Sequence, residues 1–474
     1  MLNRVFSTGM AATLVTILAA GTAAAMPAPA KLVPVVSAAC VAGTAGDIDG
    51  NGVGDLVVEA RRYGPTQTQF DVLRFPDGQR ISIGLADLDP APEAGLWIRD
   101  VALGDLDGDG CAEAVFVGDI PDLNYTPLNL YQYRPRLYVV PGSPDGLNLA
   151  GTVRIDLPGG GARHVTVLPA THQIAVTTTA KAGGTLLVHT LGVGLTAGTT
   201  WQVTAKDLGI ASGGRADFGF ALSASGDTIA VGSPAQALGI FADAGAVYLF
   251  SSPTMTHVRL TQKTKGMPKA SPYGQRFGAS VAYLDGRLAI GAPGAQIGDH
   301  NDAGRVNLVL WNETKRTYKV LRSFNQDSKH VTGIARSWDI LGSEVLIARG
   351  LTGSGSYDVV AGARLDQLGT TKGAGSVTVT NFDRSGYQLI TQNTPGVPGS
   401  VAKSRQFGAT LGLRHLTPAS DSILTTSYQT DPDCKAYMLM QTAAAPIKTT
   451  TWNLVSPRND AAGCAQTWTY TISR

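Results

Sequence analysis

Ten residues, Gly104-Asp105-Leu106-Asp107-Gly108-Asp109-Gly110-Cys111-Ala112-Glu113, carry the clearest chemistry in this chain. They set carboxylates at the first, third, fifth and ninth positions, Asp105, Asp107, Asp109 and Glu113. The seventh, Cys111, can offer a main-chain carbonyl. The alternation aims side chains into one concavity, and the glycines let the backbone bend around it. Hard oxygens crowded about one point suit calcium, which takes six to eight of them. Zinc is disfavoured, because no His or Cys cluster lies nearby. An EF-hand would need flanking helices and a glutamate at position twelve. Here the flanks are the strand-like runs Trp97–Leu103 and Ala114–Val117, so the loop is expected to join two strands.

The same grammar appears earlier, at Gly46–Asp55. Asp47, Asp49, Asn51 and Asp55 take the liganding positions, with Val53 at the seventh. Calcium is therefore the expected cofactor at both loops. It would relieve repulsion among the carboxylates and pin each hairpin. A third acidic group, Asp299, Asn301 and Asp302, reads as a solvated loop.

These loops need elements to position them. The 474 residues are 43% hydrophobic and 16% charged, with 57 glycines. Apolar runs are short, rich in Val, Ile, Leu and Thr, and broken by Gly, Pro, Asp and Asn. That composition points to an all-β chain. A formal charge of +2 gives no electrostatic case for nucleic acid or an acidic membrane surface.

One unit recurs along the chain. In its fourth copy, Asp217–Leu222 leads through Gly226-Asp227 into Thr228–Pro234, then Ala244–Phe250. In the fifth, Arg276–Val281 leads through Asp285-Gly286 into Leu288–Pro293, then Ala303–Leu308. Those turns close their hairpins without an ion. A sixth copy puts Gly350, Thr352 and Ser354 where carboxylates stood, so metal binding is expected to be lost there. Fainter copies run through His164–Val188 and Gln406–Leu439. The seven units are spaced roughly 55 to 65 residues apart, each with about four strand-sized runs. A four-stranded blade buries both faces only by stacking on neighbours around a ring. The expected fold is thus a seven-bladed β-propeller of four-stranded antiparallel blades. Ring closure would draw on Lys31–Ser37, Thr449–Ser456 or Thr467–Ile472.

The Phe-Gly … Gly-Ala-Pro grammar of units four and five, with the acidic loops of units one and two, resembles the FG-GAP repeat family. That family includes the integrin α-subunit propeller and many bacterial secreted proteins. The resemblance implies calcium in the loop between first and second strands. It also implies partners meeting the opposite face, made by loops between strands two and three and between blades. Phe218, Phe277 and Phe407 would fill blade interfaces.

The N-terminus reads as an export signal over residues 1–25: Arg4, the apolar run Met10–Ala20, and a small-residue cleavage site at Ala23-Ala24-Ala25. Residues 26–474 would form the single propeller domain. In an exported chain Cys40, Cys111, Cys434 and Cys464 allow two disulfides in three connectivities. Cys434–Cys464 is the most local pairing and leaves Cys40–Cys111.

Catalysis finds little support. The seven histidines show no metal-ligand spacing, and no G-x-S-x-G motif occurs. A binding face fits better. Arg61, Arg62 and Tyr63 fall in the loop after the second strand of unit one. The long segment Asp119–Arg136, in the matching place of unit two, carries Tyr125, Tyr131 and Arg134. Aromatics and arginine anchor contacts, although tyrosines in an extended strand can simply pack. The expectation is an exported, calcium-stabilised propeller recognising a protein or glycan. The alternative is a secreted hydrolase or lyase with its active site on the propeller face.

Overall fold

Alternating apolar residues and short turns build twenty-seven strands among the described residues. The structure is a computed structural model that describes residues 40–41, 44–61, 69–89, 96–121, 133–179, 183–210, 217–252, 254–268, 273–353, 355–383, 386–397, 399–428, 436–441 and 452–455. Ala39–Arg474 form one compact unit. The proposed signal segment lies outside the described residues. No helix among them is long and apolar enough to cross a membrane.

The strands fall into seven antiparallel sheets, each in simple sequence order. The first has β1 (Leu56–Arg61), β2 (Gln69–Leu73) and β3 (Arg80–Gly84). The second has β4 (Trp97–Gly104), β5 (Glu113–Pro121), β6 (Tyr133–Val140) and β7 (Val153–Asp156). The third has β8 (Ala162–Leu168), β9 (Gln173–Thr178), β10 (Thr185–Thr190) and β11 (Thr199–Thr204). The fourth runs β12 (Ala221–Ser225), β13 (Thr228–Ser233), β14 (Ala246–Ser251), β15 (His257–Leu260). The fifth runs β16 (Ser280–Leu284), β17 (Arg287–Ala292), β18 (Arg305–Asn312), β19 (Thr317–Phe324). The sixth runs β20 (Glu344–Arg349), β21 (Tyr357–Ala363), β22 (Ser376–Asn381), β23 (Tyr387–Ile390). The seventh ends the series with β24 (Leu411–Thr417), β25 (Ser420–Tyr428), β26 (Ala436–Gln441) and β27 (Trp452–Val455).

Each sheet packs both faces because its side chains alternate. In β14, Val247 and Leu249 face the fifth sheet while Ala246, Tyr248 and Phe250 face the third. The core is therefore divided into clusters at sheet junctions. Seven clusters serve the seven junctions, and the smallest joins Leu56, Val58 and Leu73 of the first sheet to Leu424 of the last. The chain is a seven-bladed β-propeller. Phe218, Phe277 and Phe407 sit fully buried at junctions, as their repeated place in the sequence suggested.

Ring closure differs from expectation in one respect. Trp452–Val455, inside the candidate segment Thr449–Ser456, is the fourth strand of blade seven itself, paired to β26. It completes its own blade and does not cross to another. The first blade shows three strands among the described residues; Lys31–Ser37 and Thr467–Ile472 lie outside them.

On the face of the first-to-second-strand turns, polar bonds step from blade to blade. Ala112 N donates to Asp47 O at 2.7 Å, and His172 Nδ1 lies 2.6 Å from Leu106 O. Ser252 Oγ bonds Gln173 Oε1, and Thr228 Oγ1 donates to Glu313 Oε1 at 3.0 Å. Arg349 Nη2 and Tyr357 OH both donate to Asp285, at 2.8 and 2.7 Å. Arg349 N donates to Asp421 Oδ2 at 2.6 Å, and Gly54 N to His415 O at 2.8 Å. This belt holds the acidic loops in register with the ring.

Candidate metal centre

Both acidic loops sit where the spacing placed them, at the turn face of blades one and two. The second joins β4 to β5, and the first leads into β1. Position two of each loop is apolar and buried, Ile48 and Leu106, and this anchors the loop to the core. Position four is a left-handed glycine in each, Gly50 at φ 64° and Gly108 at φ 80°. At Gly50 a Cβ would also lie 2.5 Å from the Cα of Cys40. Only glycine admits the Cys40 segment so close.

In the first loop, one oxygen each of Asp47, Asp49 and Asp55 lie within 4.8 Å of one another. All three side chains are buried. Backbone amides set their directions. Asn51 N and Gly52 N donate to the two oxygens of Asp47 at 3.1 and 2.6 Å. Ile48 N and Phe75 N donate to those of Asp55, both at 2.9 Å. Asn51 turns its amide outward, with Nδ2 donating to Phe75 O at 2.6 Å and Oδ1 accepting from Val53 N at 2.9 Å. Burial, then the charges of Asp49 and Asp47, push Asp55 up to about 7. Burial raises Asp47 as well.

The second loop repeats this arrangement with Asp105, Asp107 and Glu113, again within 4.8 Å. Gly108 N and Gly110 N donate to Asp105 at 2.7 and 3.1 Å. Leu106 N donates to Glu113 Oε2 at 2.5 Å, and Gly142 N to its Oε1 at 3.4 Å. Glu113 is completely buried. Burial, then Asp107 and Asp105, push it up to about 8. Burial raises Asp107 too.

Two details depart from a uniform liganding ring. Asp109, at position five, falls outside the trio of its loop, and its Oδ1 accepts from Cys111 N at 2.8 Å. The loops also differ in charge. Asp49 is held by Arg74, through Nη2 at 2.5 Å and Nε at 2.8 Å. Among the described residues no basic side chain pairs with Asp105, Asp107 or Glu113. Sequence reading missed Arg74, which lies 25 residues beyond Asp49.

The sixth blade shows what replaces the trio. Asp358, at position nine, is fully buried and accepts from Thr352 N at 2.9 Å, Thr352 Oγ1 and Ser356 Oγ at 2.6 Å. Hydroxyls supply the donors around this carboxylate. In blades four and five the two-residue turns close the hairpins as expected, with Asp285 and Gly286 both at positive φ.

Cys40 and Cys111 form a disulfide with their Cα atoms 5.3 Å apart. It ties the segment before the first loop to position seven of the second. Cys434 and Cys464 lie outside the described residues.

Of the six expected binding residues the structure describes two, Arg61 and Arg134. Arg134 is exposed near the start of β6. Arg61 ends β1. Arg62, Tyr63, Tyr125 and Tyr131 lie outside the described residues. Part of the expected long loop is instead hairpin, since Asp119–Pro121 pairs with Tyr133–Pro135. Two His–Asp contacts escaped sequence reading, His164 Nδ1 to Asp100 Oδ2 at 3.2 Å and His415 Nδ1 to Asp421 Oδ1 at 2.6 Å. Asp302, in the third acidic group, is ion-paired with Arg276.

No protein-family model matches the chain, and no curated protein does. Several solved structures are similar. A protein from Lactobacillus plantarum has 12% identity and a TM-score of 0.45, covering 85% of this chain and 95% of that one. The periplasmic gluconolactonase of Pseudomonas aeruginosa has 9% identity and a TM-score of 0.45, covering 88% and 98%. The β-propeller domain of the trilobed protease of Pyrococcus furiosus has 8% identity and a TM-score of 0.35, covering 72% and 82%. The propeller assignment rests on this chain's own sheet order and junction clusters.

Proposed function

We propose that this chain is an exported FG-GAP-type propeller that holds calcium in two loops and acts as a binding module for a protein or glycan. The carrying observation is Glu113. A fully buried carboxylate, beside Asp105 and Asp107 and with no basic partner among the described residues, is expensive unless a cation joins it. Oxygen-only donors favour calcium over softer metals. Asp105, Asp107 and Glu113 would hold one ion and Asp47, Asp49 and Asp55 the other. Asn51, Asp109 and the carbonyls of Val53 and Cys111 would stand at the rim. The ion's part is structural, fixing the loops that knit blades one and two. The Cys40–Cys111 bond agrees with an oxidising compartment.

Equilibrium dialysis of the purified chain against calcium tests this reading. Two bound ions per chain are expected, falling to one in Asp105→Asn. No bound calcium would refute it. A hydrolase or lyase remains the second reading. Two of the similar propellers are named as a gluconolactonase and as part of a protease, likenesses too distant to decide between the two. Lactone or ester turnover by the calcium-loaded chain would favour it.

A further inference from the structure

Three successive blade junctions share one backbone frame on the face opposite the acidic loops. Between second and third strands, blades four, five and six each carry a small bridge, Leu238–Phe241, Ile297–His300 and Leu368–Thr371. The segment entering the next blade clamps each loop. Gly274 N donates to Ala242 O at 3.0 Å, Trp338 N to Asn301 O at 2.9 Å, and Ser404 N to Lys372 O at 3.1 Å. Two residues on, the pattern repeats from Arg276 to Asp243, Ile340 to Asp302 and Gln406 to Gly373, at 2.9, 2.9 and 3.0 Å. Every one of these bonds is main chain to main chain. The frame therefore leaves the identity of the side chains at its tips open.

The tips differ completely: Ile240-Phe241-Ala242, Asp299-His300-Asn301 and Thr370-Thr371-Lys372. One residue stands out against its counterparts. Trp338 occupies the place held by Gly274 and Ser404 at the other junctions. All three are left-handed, at φ 76°, 67° and 61°. A bulky residue there costs on the order of 1 kcal/mol. The indole recovers little by packing, since Trp338 is 62% exposed. The indole itself makes no hydrogen bond or ring contact among the described residues. Gly274 shows that the frame closes without a side chain at this position. A residue kept against local backbone preference and without burial points to use rather than folding.

We propose that Trp338 with Asp299, His300 and Asn301 forms a subsite for the ring of a neutral sugar. The proposal rests on the binding-module reading and narrows its partner to a glycan. An exposed indole offers a flat, electron-rich face to the C–H side of a pyranose. Asp299 accepts from hydroxyls, Asn301 both donates and accepts, and His300 does either. The Trp338–Asn301 backbone bond sets residue 338 against the loop that carries those groups. Asp302 is neutralised by Arg276, whereas Asp299 has no cationic partner among the described residues. Its charge disfavours sulfated and uronic sugars.

The test is an oligosaccharide array probed with the full calcium-loaded chain. It would present neutral gluco-, manno- and chito-oligosaccharides beside sulfated and uronic ones. Two variants borrow residues that the sister junctions already use, Trp338→Gly and Asp299→Thr. Wild type is expected to retain a neutral glycan. Trp338→Gly should weaken it by on the order of tenfold or more, with an unchanged or higher Tm. Trp338→Phe should keep part of the affinity, and Asp299→Thr should lose several-fold. Failure of wild type to hold any neutral glycan would overturn the proposal, as would undiminished binding by Trp338→Gly. If a protein ligand is instead bound equally by wild type and Trp338→Gly, the sugar subsite falls and the binding-module reading stands.

Discussion

Ala112 donates its amide to the carbonyl of Asp47 across 2.7 Å, so the two acidic loops share a backbone bond. Position one of the first loop and position eight of the second are thereby fixed together. Gly142 lies against the same seam, where a Cβ would meet Ala112 O at 2.5 Å and Ile48 O at 2.7 Å. The Cys40–Cys111 bond adds a covalent tie between the segment before the first loop and position seven of the second. Ordering one loop orders part of the other. Asp47→Asn is therefore expected to weaken calcium binding at the second loop as well as abolish the first site. Calorimetric titration of Asp47→Asn and Asp105→Asn checks this. Independent sites, each unchanged by loss of the other, would contradict the coupling.

The raised carboxyls set a pH dependence with a definite sign. Asp55 rises from 3.8 to about 7, and Glu113 from 4.5 to about 8. The folded state without cation then binds more protons than the unfolded one, so its stability falls as pH climbs from about 4 to 8. Calcium requires the ionised forms, so its stabilising effect should grow over the same interval. Melting curves in chelator at pH 5 and pH 8, repeated in calcium, check both. The metal-free chain should melt lower at pH 8 than at pH 5. The calcium-induced rise in Tm should be larger at pH 8.

Blade six supplies an internal control. Asp358 accepts from the Thr352 amide and from the hydroxyls of Thr352 and Ser356. Ser356→Ala removes one donor from a buried carboxylate and should cost about 1–3 kcal/mol. That loss should be the same in calcium and in chelator. Denaturant unfolding under both conditions measures it. A loss that calcium repairs would place an ion in this loop too.

Phe277 tests the junction packing. It is fully buried in the cluster joining blades four and five. Phe277→Ala should destabilise by about 3–5 kcal/mol, with calcium stoichiometry intact. Thermal unfolding with parallel dialysis separates the two effects.

What could be read from sequence was whatever lies within one turn or one strand. Asp105, Asp107 and Glu113 alternate along nine residues, so their convergence was visible. The Phe-Gly and Gly-Ala-Pro runs marked the repeat because three junctions bury the same ring, Phe218, Phe277 and Phe407, with Leu341 in the equivalent place at the junction of blades five and six. Long-range partners left no such trace. Arg74 reaches Asp49 only because β2 returns beside the first loop, and His415 meets Gly54 only because the ring closes. At position five of each loop an amide two residues on donates to the side-chain oxygen, Val53 N to Asn51 and Cys111 N to Asp109, a contact that the spacing alone does not reveal. Nothing in the sequence singled out Trp338. A bulky, exposed side chain on a left-handed backbone sets it apart from Gly274 and Ser404.

Thermal unfolding with calcium and with chelator, in wild type and in Asp47→Asn/Asp105→Asn, bears most directly on the two cation sites. Chelator should lower the wild-type Tm by several degrees, and the double variant should melt alike in both conditions. A wild-type Tm indifferent to chelator would contradict calcium binding at both loops.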